Sequence, residues 1–379
     1  MPVRRTSRSK GPGFIAKLFL GATCAAVVLL WVSAASVYLD PGVHPWAAVA
    51  GLAFPFLLGG ALFLLFLCVL FATRWSWIPL LGLLLCGGSI RTYSPINFSK
   101  SAPTGSLKVV SFNICGWGAW VPGPDNSTPE HERKCRSLSE YLAAQDADLV
   151  CLQESYVQEG TTWQKDIIDA VMRPVTPYTD SVRTEGENQV RLYSKYPILR
   201  HERLTYFGAN VVGAFWVELG AGDTLIVVNA HLKSMGLSEQ DREDLGSVVD
   251  ASEQTLSENA ARGILSKIRK NSAIRSRMVA KVCAFLEQNA GKSVLVCGDF
   301  NDTPISYARY RIGRGLTDAY VASANGPGWS FNQHHIYVRI DHAFCSPDWE
   351  PYEARIDRSI DTSDHYPLLF KMNRKNKSE

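Results

Sequence analysis

Six short motifs, each closing an apolar run, constrain this chain more than any other feature. In order they are Ser111-Phe112-Asn113, Leu152-Gln153-Glu154, Asn229-Ala230-His231-Leu232, Gly298-Asp299-Phe300-Asn301, Arg339-Ile340-Asp341-His342 and Ser363-Asp364-His365. Most of the runs before them are β-branched or aliphatic: Leu107-Lys108-Val109-Val110, Asp148-Leu149-Val150-Cys151, Leu225-Ile226-Val227-Val228 and Ser293-Val294-Leu295-Val296-Cys297. Such runs read as buried strands, and a polar residue at a strand's exit is carried on a rigid support toward a shared cleft. Six exits converging on one point would build a hard-cation site for a phosphoester.

The chemistry of the exits is specific. Mg²⁺ prefers oxygen ligands and takes one or two carboxylates together with waters and a substrate phosphate oxygen. Mn²⁺ is the expected substitute. Glu154 is the natural primary ligand, with Asn113 beside it and Asp364 as a further or water-mediated ligand. Asp299 and Asn301 lie two apart on a turn, so both can face the phosphate. Asp299 would orient or deprotonate the attacking water, and Asn301 would hold a phosphoryl oxygen. His365 would donate to that oxygen, with Asp341 fixing its tautomer. His231 is a second donor candidate. Ser234 reads equally as a helix N-cap or a phosphate contact.

These residues resemble the endonuclease/exonuclease/phosphatase superfamily of metal-dependent phosphoesterases. That superfamily includes abasic-site endonucleases, DNase I, inositol polyphosphate 5-phosphatases, neutral sphingomyelinases, deadenylases and tyrosyl-DNA phosphodiesterases. The match runs from about Leu107 to about Phe370 and covers Asn113, Glu154, His231, Asp299, Asn301, Asp341, Asp364 and His365. A lone Ser-Asp-His is weak; the motifs in this order and spacing are not. The resemblance implies an α/β (α+β) four-layer sandwich, two packed mixed β-sheets flanked by helices. It departs from the repair nucleases at His231-Leu232-Lys233-Ser234, where those enzymes typically carry Tyr. His-x-x-Ser is more similar to the tyrosyl-DNA phosphodiesterase, sphingomyelinase and phosphatase side. His342 follows Asp341 where the family often has Tyr and reads as a packing variant. The loop Ile114-Cys115-Gly116-Trp117 adds no acidic ligand.

A second feature lies before the motifs. Between Leu18 and Thr73 the only formal charge is Asp40. The stretch divides at Asp40-Pro41-Gly42 into Leu18–Leu39 and Trp46–Thr73, each long enough to cross a ~30 Å hydrocarbon core. A shorter run, Trp75–Ile90, contains Pro79 and opens on Trp75 and Trp77, as an aromatic belt would. It reads as a third span or a buried helix. A cleaved signal peptide would have a shorter apolar core than the first run. Arg4, Arg5, Arg8, Lys10 and Lys17 crowd the N-terminus and place it in the cytoplasm. Three crossings put the C-terminal domain outside the cytoplasm; two leave it inside. Arg74 agrees with three, Arg91 and Lys100 with two.

The chain therefore divides into a basic cytoplasmic tail (1–17), a transmembrane helical unit (18–91), a linker (92–106), a catalytic domain (107–373) and a short tail (374–379). Residues 1–100 hold eight Lys/Arg and one Asp, a balance of +7, which leaves −4 for the remainder of a chain of net charge +3. A non-specific nuclease usually presents a basic surface to the phosphate backbone. The acidic domain therefore favours a lipid headgroup or small phosphoester over nucleic acid. With no C-x-x-C pair, neither a zinc site nor a dithiol motif is supported. Within the domain, Glu130–Gln145 reads as a helix, and Asp148–Gln153, Leu192–Ile198 and Ala214–Leu219 as strands. Ser238–Gln288 reads as helical. Ile264, Ile268, Ile274, Met278, Val282 and Phe285 alternate there with Lys267, Arg269, Lys270, Arg275, Arg277 and Lys281. That pattern fits a helix packed on a sheet, or a basic helix touching anionic headgroups. His334 and His335 read as an exposed loop, and Arg339 as a partner for an acid.

The function these readings give is a membrane-anchored, Mg²⁺-dependent phosphoesterase using metal-assisted water attack. The alternatives are a membrane-tethered nuclease acting on DNA or RNA, and a non-catalytic phospho-ligand-binding scaffold. The implied partners are the phosphoester and the lipid bilayer, with no obligate protein partner.

Overall fold

The computed structural model describes residues 14–71, 74–119, 128–157, 162–220, 222–249 and 256–375. Most of the basic tail and residues 376–379 lie outside that range. The strands, in chain order, are β1 (Leu107–Asn113), β2 (Leu149–Gln153), β3 (Tyr178–Arg183), β4 (Gln189–Ser194), β5 (Ile198–Phe207), β6 (Asn210–Gly220), β7 (Asp223–His231), β8 (Val294–Asp299), β9 (Thr317–Asp318), β10 (Phe331–Gln333), β11 (Ile336–Val338), β12 (Asp341–Cys345), β13 (Trp349–Ile356) and β14 (Leu368–Arg374). They form two mixed six-stranded sheets, ordered β13-β14-β1-β2-β4-β3 and β5-β6-β7-β8-β12-β9, plus the hairpin β10-β11. The run Leu192–Ile198 is divided: β4 ends at Ser194, Lys195-Tyr196-Pro197 turns, and β5 begins at Ile198. Pro197 has no N–H to give a ladder, which favours a boundary there.

The central strands are apolar on both faces because both faces are covered. Val109, Cys151, Leu192, Phe215, Val227, Leu295, Cys297 and Phe370 point between the sheets. Val110, Phe112, Val150 and Leu152 point outward under the helices Thr128–Ala144 and Thr162–Met172, against Leu138, Leu142 and Ile168. On the other sheet, Val228 and Val296 meet Met278, Val279, Val282 and Phe285 of the helix Glu258–Gln288. The stretch Ser238–Gln288 thus contains that helix and a shorter one, Glu239–Val249, and its apolar face packs on a sheet. Within the sandwich, Cys115, Cys135, Cys151, Cys283, Cys297 and Cys345 are free thiols.

Each sheet holds one parallel pair at its centre, β1 with β2 and β7 with β8. Their register sets Asn113 opposite Gln153 and His231 opposite Asp299, while antiparallel β12 sets Asp341 opposite Asp299. The two parallel pairs end at the same pole, and the polar exits gather there.

The apolar unit folds against this sandwich. Phe14–Ala35 is one helix and continues as a 3₁₀ turn to Tyr38. With that turn it is long and apolar enough to cross a membrane. The second run breaks into Trp46–Leu52 and Phe54–Leu70, which bend by 48° and qualify only as a pair. Pro55, within the first turn of the second helix, favours a break there, because it has no N–H to give the preceding turn. The third run also breaks, into Trp77–Leu85 and Gly87–Tyr93, and neither piece is long enough by itself. The expected linker is pinned along the domain. Asn97 Nδ2 donates to the carbonyls of Val321 and Ala324, and Lys100 pairs with Glu350.

Candidate active site

Asn113, the last residue of β1, is buried and donates from Nδ2 to Glu154 Oε1 and to Asp299 Oδ2, each at 3.1 Å. Its Oδ1 accepts the Cys115 N–H. Glu154 follows β2 directly, at a left-handed φ of 50°. Asn301, two residues beyond β8, is also left-handed, at φ 51°. Non-glycine residues in that region are uncommon and cluster at functional sites. Gly298 has a different reason to be there. A Cβ on it would lie 2.0 Å from the Ala230 carbonyl, so only glycine lets β7 and β8 approach beside His231 and Asp299.

Asp299 is the hub. Its Oδ1 accepts the Asn301 N–H at 2.7 Å, and its Oδ2 accepts both the Asn113 and the Asn301 amides. His365 Nε2 and His231 Nε2 face the same Oδ2 at 3.7 and 3.8 Å. His365 Nδ1 donates to Asp341 Oδ2 at 2.9 Å. Burial pulls the His365 imidazolium down, but the Asp341 and Asp299 carboxylates outweigh it and push its pKa up to about 10. His231 goes the other way, lowered by burial against the pull of Asp299. Its Nε2 lies 3.5 Å from Glu154 Oε1 and accepts the Asn210 amide at 2.9 Å. Burial and the Asp364 carboxylate both raise Glu154.

The structure thus brings Asn113, Glu154, His231, Asp299, Asn301, Asp341 and His365 into one cluster. Asp364 sits at its edge, 3.8 Å from the Arg242 guanidinium, which lies over the Phe331 ring. Ser234 is half-buried in the loop after β7 and has no hydrogen bond among the described residues. His342 is packed between Phe300 and Phe344 and donates to the Asp302 carbonyl at 2.9 Å, away from the cluster. His334 and His335 occupy the turn of the β10-β11 hairpin, where His334 meets Glu239.

Several residues that position the cluster were given no role by the sequence, some of them within the motifs and some outside. Ser330 Oγ accepts the N–H groups of Ile340 and Asp341, and Ser363 Oγ donates to the Asn113 carbonyl. Gln153 Nε2 donates to Asn229 Oδ1 at 2.6 Å and ties the sheets together at this pole. Arg275 is buried in the apolar face of its helix. Its Nε donates to the Lys233 carbonyl and its Nη1 to Asp302, so one guanidinium clamps the loops after His231 and after Asp299. A signal for it was available, since Ile268, Arg275 and Val282 are spaced at seven residues along one face.

The donor set fits a hard divalent cation. Glu154, Asp299, Asp341 and Asp364 are four carboxylates at one pole. Glu154 and Asp299 have no Lys or Arg ion pair among the described residues, and Asp341 Oδ1 is buried without a partner. The oxygen and imidazole atoms of Asp299, Asp341 and His365 lie within 4.8 Å of one another. Uncompensated buried carboxylates are costly unless a cation or proton joins them.

The Endonuclease/Exonuclease/phosphatase family model matches residues 111–365. The chain belongs to that family. The match spans every exit described above, so the protein is a phosphoric ester hydrolase of a generally divalent-metal-dependent family. A second family model, a domain of unknown function, matches residues 16–93. No curated protein matches the chain. Solved structures of family members are similar at low identity. The endonuclease/exonuclease/phosphatase from Beutenbergia cavernae is 15% identical, over 72% of each chain, with a TM-score of 0.49. The human Nocturnin catalytic domain is 18% identical over 71% of this chain and 95% of its own, at 0.48. Sphingomyelinase C from Streptomyces griseocarneus is 19% identical over 71% and 100%, at 0.45.

Proposed function

We propose that the protein is a membrane-anchored, Mg²⁺-dependent phosphoesterase that hydrolyses a lipid-headgroup or small phosphoester. The observation that carries this reading is the Asp341–His365 pair set 3.7 Å from the Asp299 carboxylate, with Glu154 and Asp299 lacking any Lys or Arg partner among the described residues. Glu154, Asn113 and Asp364 would hold the cation, with the Asn113 amide turned over to present its oxygen. Mg²⁺ bound there supplies neutralisation of the phosphoryl oxygens. Asp299, pushed above the ordinary carboxylate range by burial, orients the water and takes its proton as the water oxygen bonds to phosphorus and the ester P–O bond breaks, the leaving oxygen taking a proton from solvent. His365 donates to a phosphoryl oxygen as negative charge develops, held by Asp341. Asn301, His231 and Ser234 line the phosphate side.

Membrane anchoring is supported by the first apolar helix and the bent pair that follows it. Sidedness is supported by where the unit meets the domain. Asp40, beyond the first helix, bonds Ser276, and the carbonyl of Thr92, after the last run, accepts from Arg339. The junction after the first helix is therefore on the domain side, as a single crossing by that helix requires. With the basic N-terminus cytoplasmic, such a crossing would put the domain outside the cytoplasm. A nuclease is the alternative, and the net acidic domain weighs against it.

The test is hydrolysis by the full chain in lipid nanodiscs with Mg²⁺ or EDTA. The substrates are sphingomyelin, phosphoinositides, bis-nitrophenyl phosphate, DNA and RNA. EDTA-sensitive turnover of lipid or small esters, abolished by Asp299→Ala and by Glu154→Gln, is the expected result. Cleavage of nucleic acid alone would replace this substrate class with the alternative, and an active Asp299→Ala would remove the assigned mechanism.

A further inference from the structure

Arg339 precedes the catalytic strand β12 and is almost fully buried, yet it forms no ion pair among the described residues, against the sequence expectation. The nearby acid, Asp318, is taken by Arg309 at 2.7 Å. Arg339 instead donates to two carbonyls: Pro327 at 2.6 Å and Thr92, which lies in the last helix of the apolar unit. Its guanidinium stacks on the Tyr320 ring at 4.2 Å. A buried guanidinium spent on carbonyls is costly unless those carbonyls are held in place.

They are held by the end of the apolar unit and the linker that follows it. The Pro95 carbonyl accepts from Gly326, next to Pro327, at 2.9 Å, and Arg91 reaches Asn97 and the Val321 carbonyl. Three residues beyond Pro327, Ser330 holds the backbone of Ile340 and Asp341, and its carbonyl accepts the Tyr366 N–H at 2.6 Å. Asp341 in turn orients His365. An unbroken chain of bonds therefore runs from the end of the apolar unit to the proton-donating pair.

A second arm reaches the other side of the cluster. Ile305, four residues beyond Asn301, is buried in the apolar unit's own core with Leu30, Phe54, Ala61, Leu83 and Cys86. Gly51 makes this possible, since a Cβ there would lie 2.4 Å from the Ile305 carbonyl. Asp40 meanwhile bonds Ser276, the neighbour of Arg275, whose guanidinium holds Asp302.

We propose that the N-terminal apolar unit is a working part of the active site: Arg339 is a positioning residue that couples its docking to the Asp341–His365 pair, and Gly51 seats the loop that carries Asp299 and Asn301. Hydrolysis then depends on docking of the unit as well as on the exits themselves. The inference rests on the catalytic roles given above, so its test has one readout that requires activity and one that does not.

Full-length Arg339→Lys and Gly51→Val are compared with the parent in nanodiscs by kcat, KM and thermal midpoint, and by hydrogen exchange of peptides covering 299–306 and 327–341. Arg339→Lys keeps the charge but loses the two-pronged geometry. A displacement of about 1 Å at reacting groups costs about 10²-fold. The expected result is a fall in kcat of about tenfold or more in each variant, with KM within about twofold. Exchange should rise at 327–341 in Arg339→Lys and at 299–306 in Gly51→Val. Unchanged exchange in both folded variants overturns the coupling even if the protein is an active phosphoesterase. Raised exchange with kcat within about twofold confines the unit to packing and also overturns the proposal. If no phosphoester is turned over, raised exchange still upholds the physical coupling while the catalytic reading fails.

Discussion

Two histidines, one at the end of β7 and one in the loop before β14, face the same Asp299 oxygen at nearly equal distance, and they differ in charge. His365 has a carboxylate, Asp341, on its far nitrogen and is held as the cation. His231 has an amide, Asn210, on the nitrogen that faces the site, and burial keeps it neutral. Asn210 Nδ2 also donates to the Leu232 carbonyl, which fixes the amide's orientation and leaves His231 Nε2 as the acceptor. As placed, His365 can donate toward a phosphate and His231 cannot without rearrangement at Asn210. Distance to the hub does not assign the roles; the partner on the ring does.

The largest expected effect tests the charged side. Asp341→Asn leaves a side chain of the same shape but removes the counter-charge and offers an N–H where His365 needs an acceptor. A fall in kcat of about 10³-fold or more is expected, by analogy with other carboxylate–histidine pairs. His231→Gln should cost less, about 10- to 100-fold, because it removes a polar wall and not the proton donor. Equal losses in the two variants would erase the distinction.

Stability against pH separates the same pair by sign. His365 has its pKa raised in the folded state, so its stabilisation is complete below about pH 6.5 and is lost as pH rises toward 10. His231 has its pKa lowered, so its contribution is present above about pH 6.5 and is lost on acidification. Denaturant unfolding of EDTA-treated protein, compared with His365→Gln, should show an extra slope of about 1.4 kcal/mol per pH unit between those limits in the parent. A parent and variant that run parallel across that window would mean that His365 is not held as the cation.

Much of this arrangement was legible in the chain, and the division is physical. A strand that must be buried on both faces writes an apolar run, and its exit residue cannot be apolar if it is to bind a cation, so Asn113, Glu154, His231 and Asp299 announce themselves; Asp341 instead opens β12 and His365 lies in the loop before β14, and only their motifs marked them. The two sheets came from the resemblance, because alternation of strands and helices does not by itself fix strand order. Asn210 and Ser330 were not legible, since each acts by touching a backbone or ring distant in sequence, and Arg275 showed only as a charge on an apolar helix face, not as a clamp between two loops. The same holds for the docking of the apolar unit. Its runs declare their length, but Gly51 against Ile305 and Thr92 against Arg339 are contacts that no periodicity encodes. The break at Pro55 could have been read, because proline has no N–H to continue a helix.

The smallest expected effect is the most pointed, because it tries to make one histidine into the other. Asn210→Asp replaces the donor at His231 Nε2 with a carboxylate of almost the same volume. If the partner sets the charge, the ring should gain a proton at Nε2 and its pKa should rise, as Asp341 raises that of His365. The exchange is not free. The new carboxylate also faces the Leu232 carbonyl, which the amide had served as donor, so some of the gain is lost to repulsion between two acceptors. The net shift should be upward but smaller than that of His365, and kcat should fall only about fivefold, because the hub and the Asp341–His365 pair are untouched. NMR titration of the His231 ring in labelled, EDTA-treated protein, parent beside variant, reads the shift directly. A ring that still titrates below its ordinary value in the Asn210→Asp protein would show that burial, and not the partner, governs the charge at this exit.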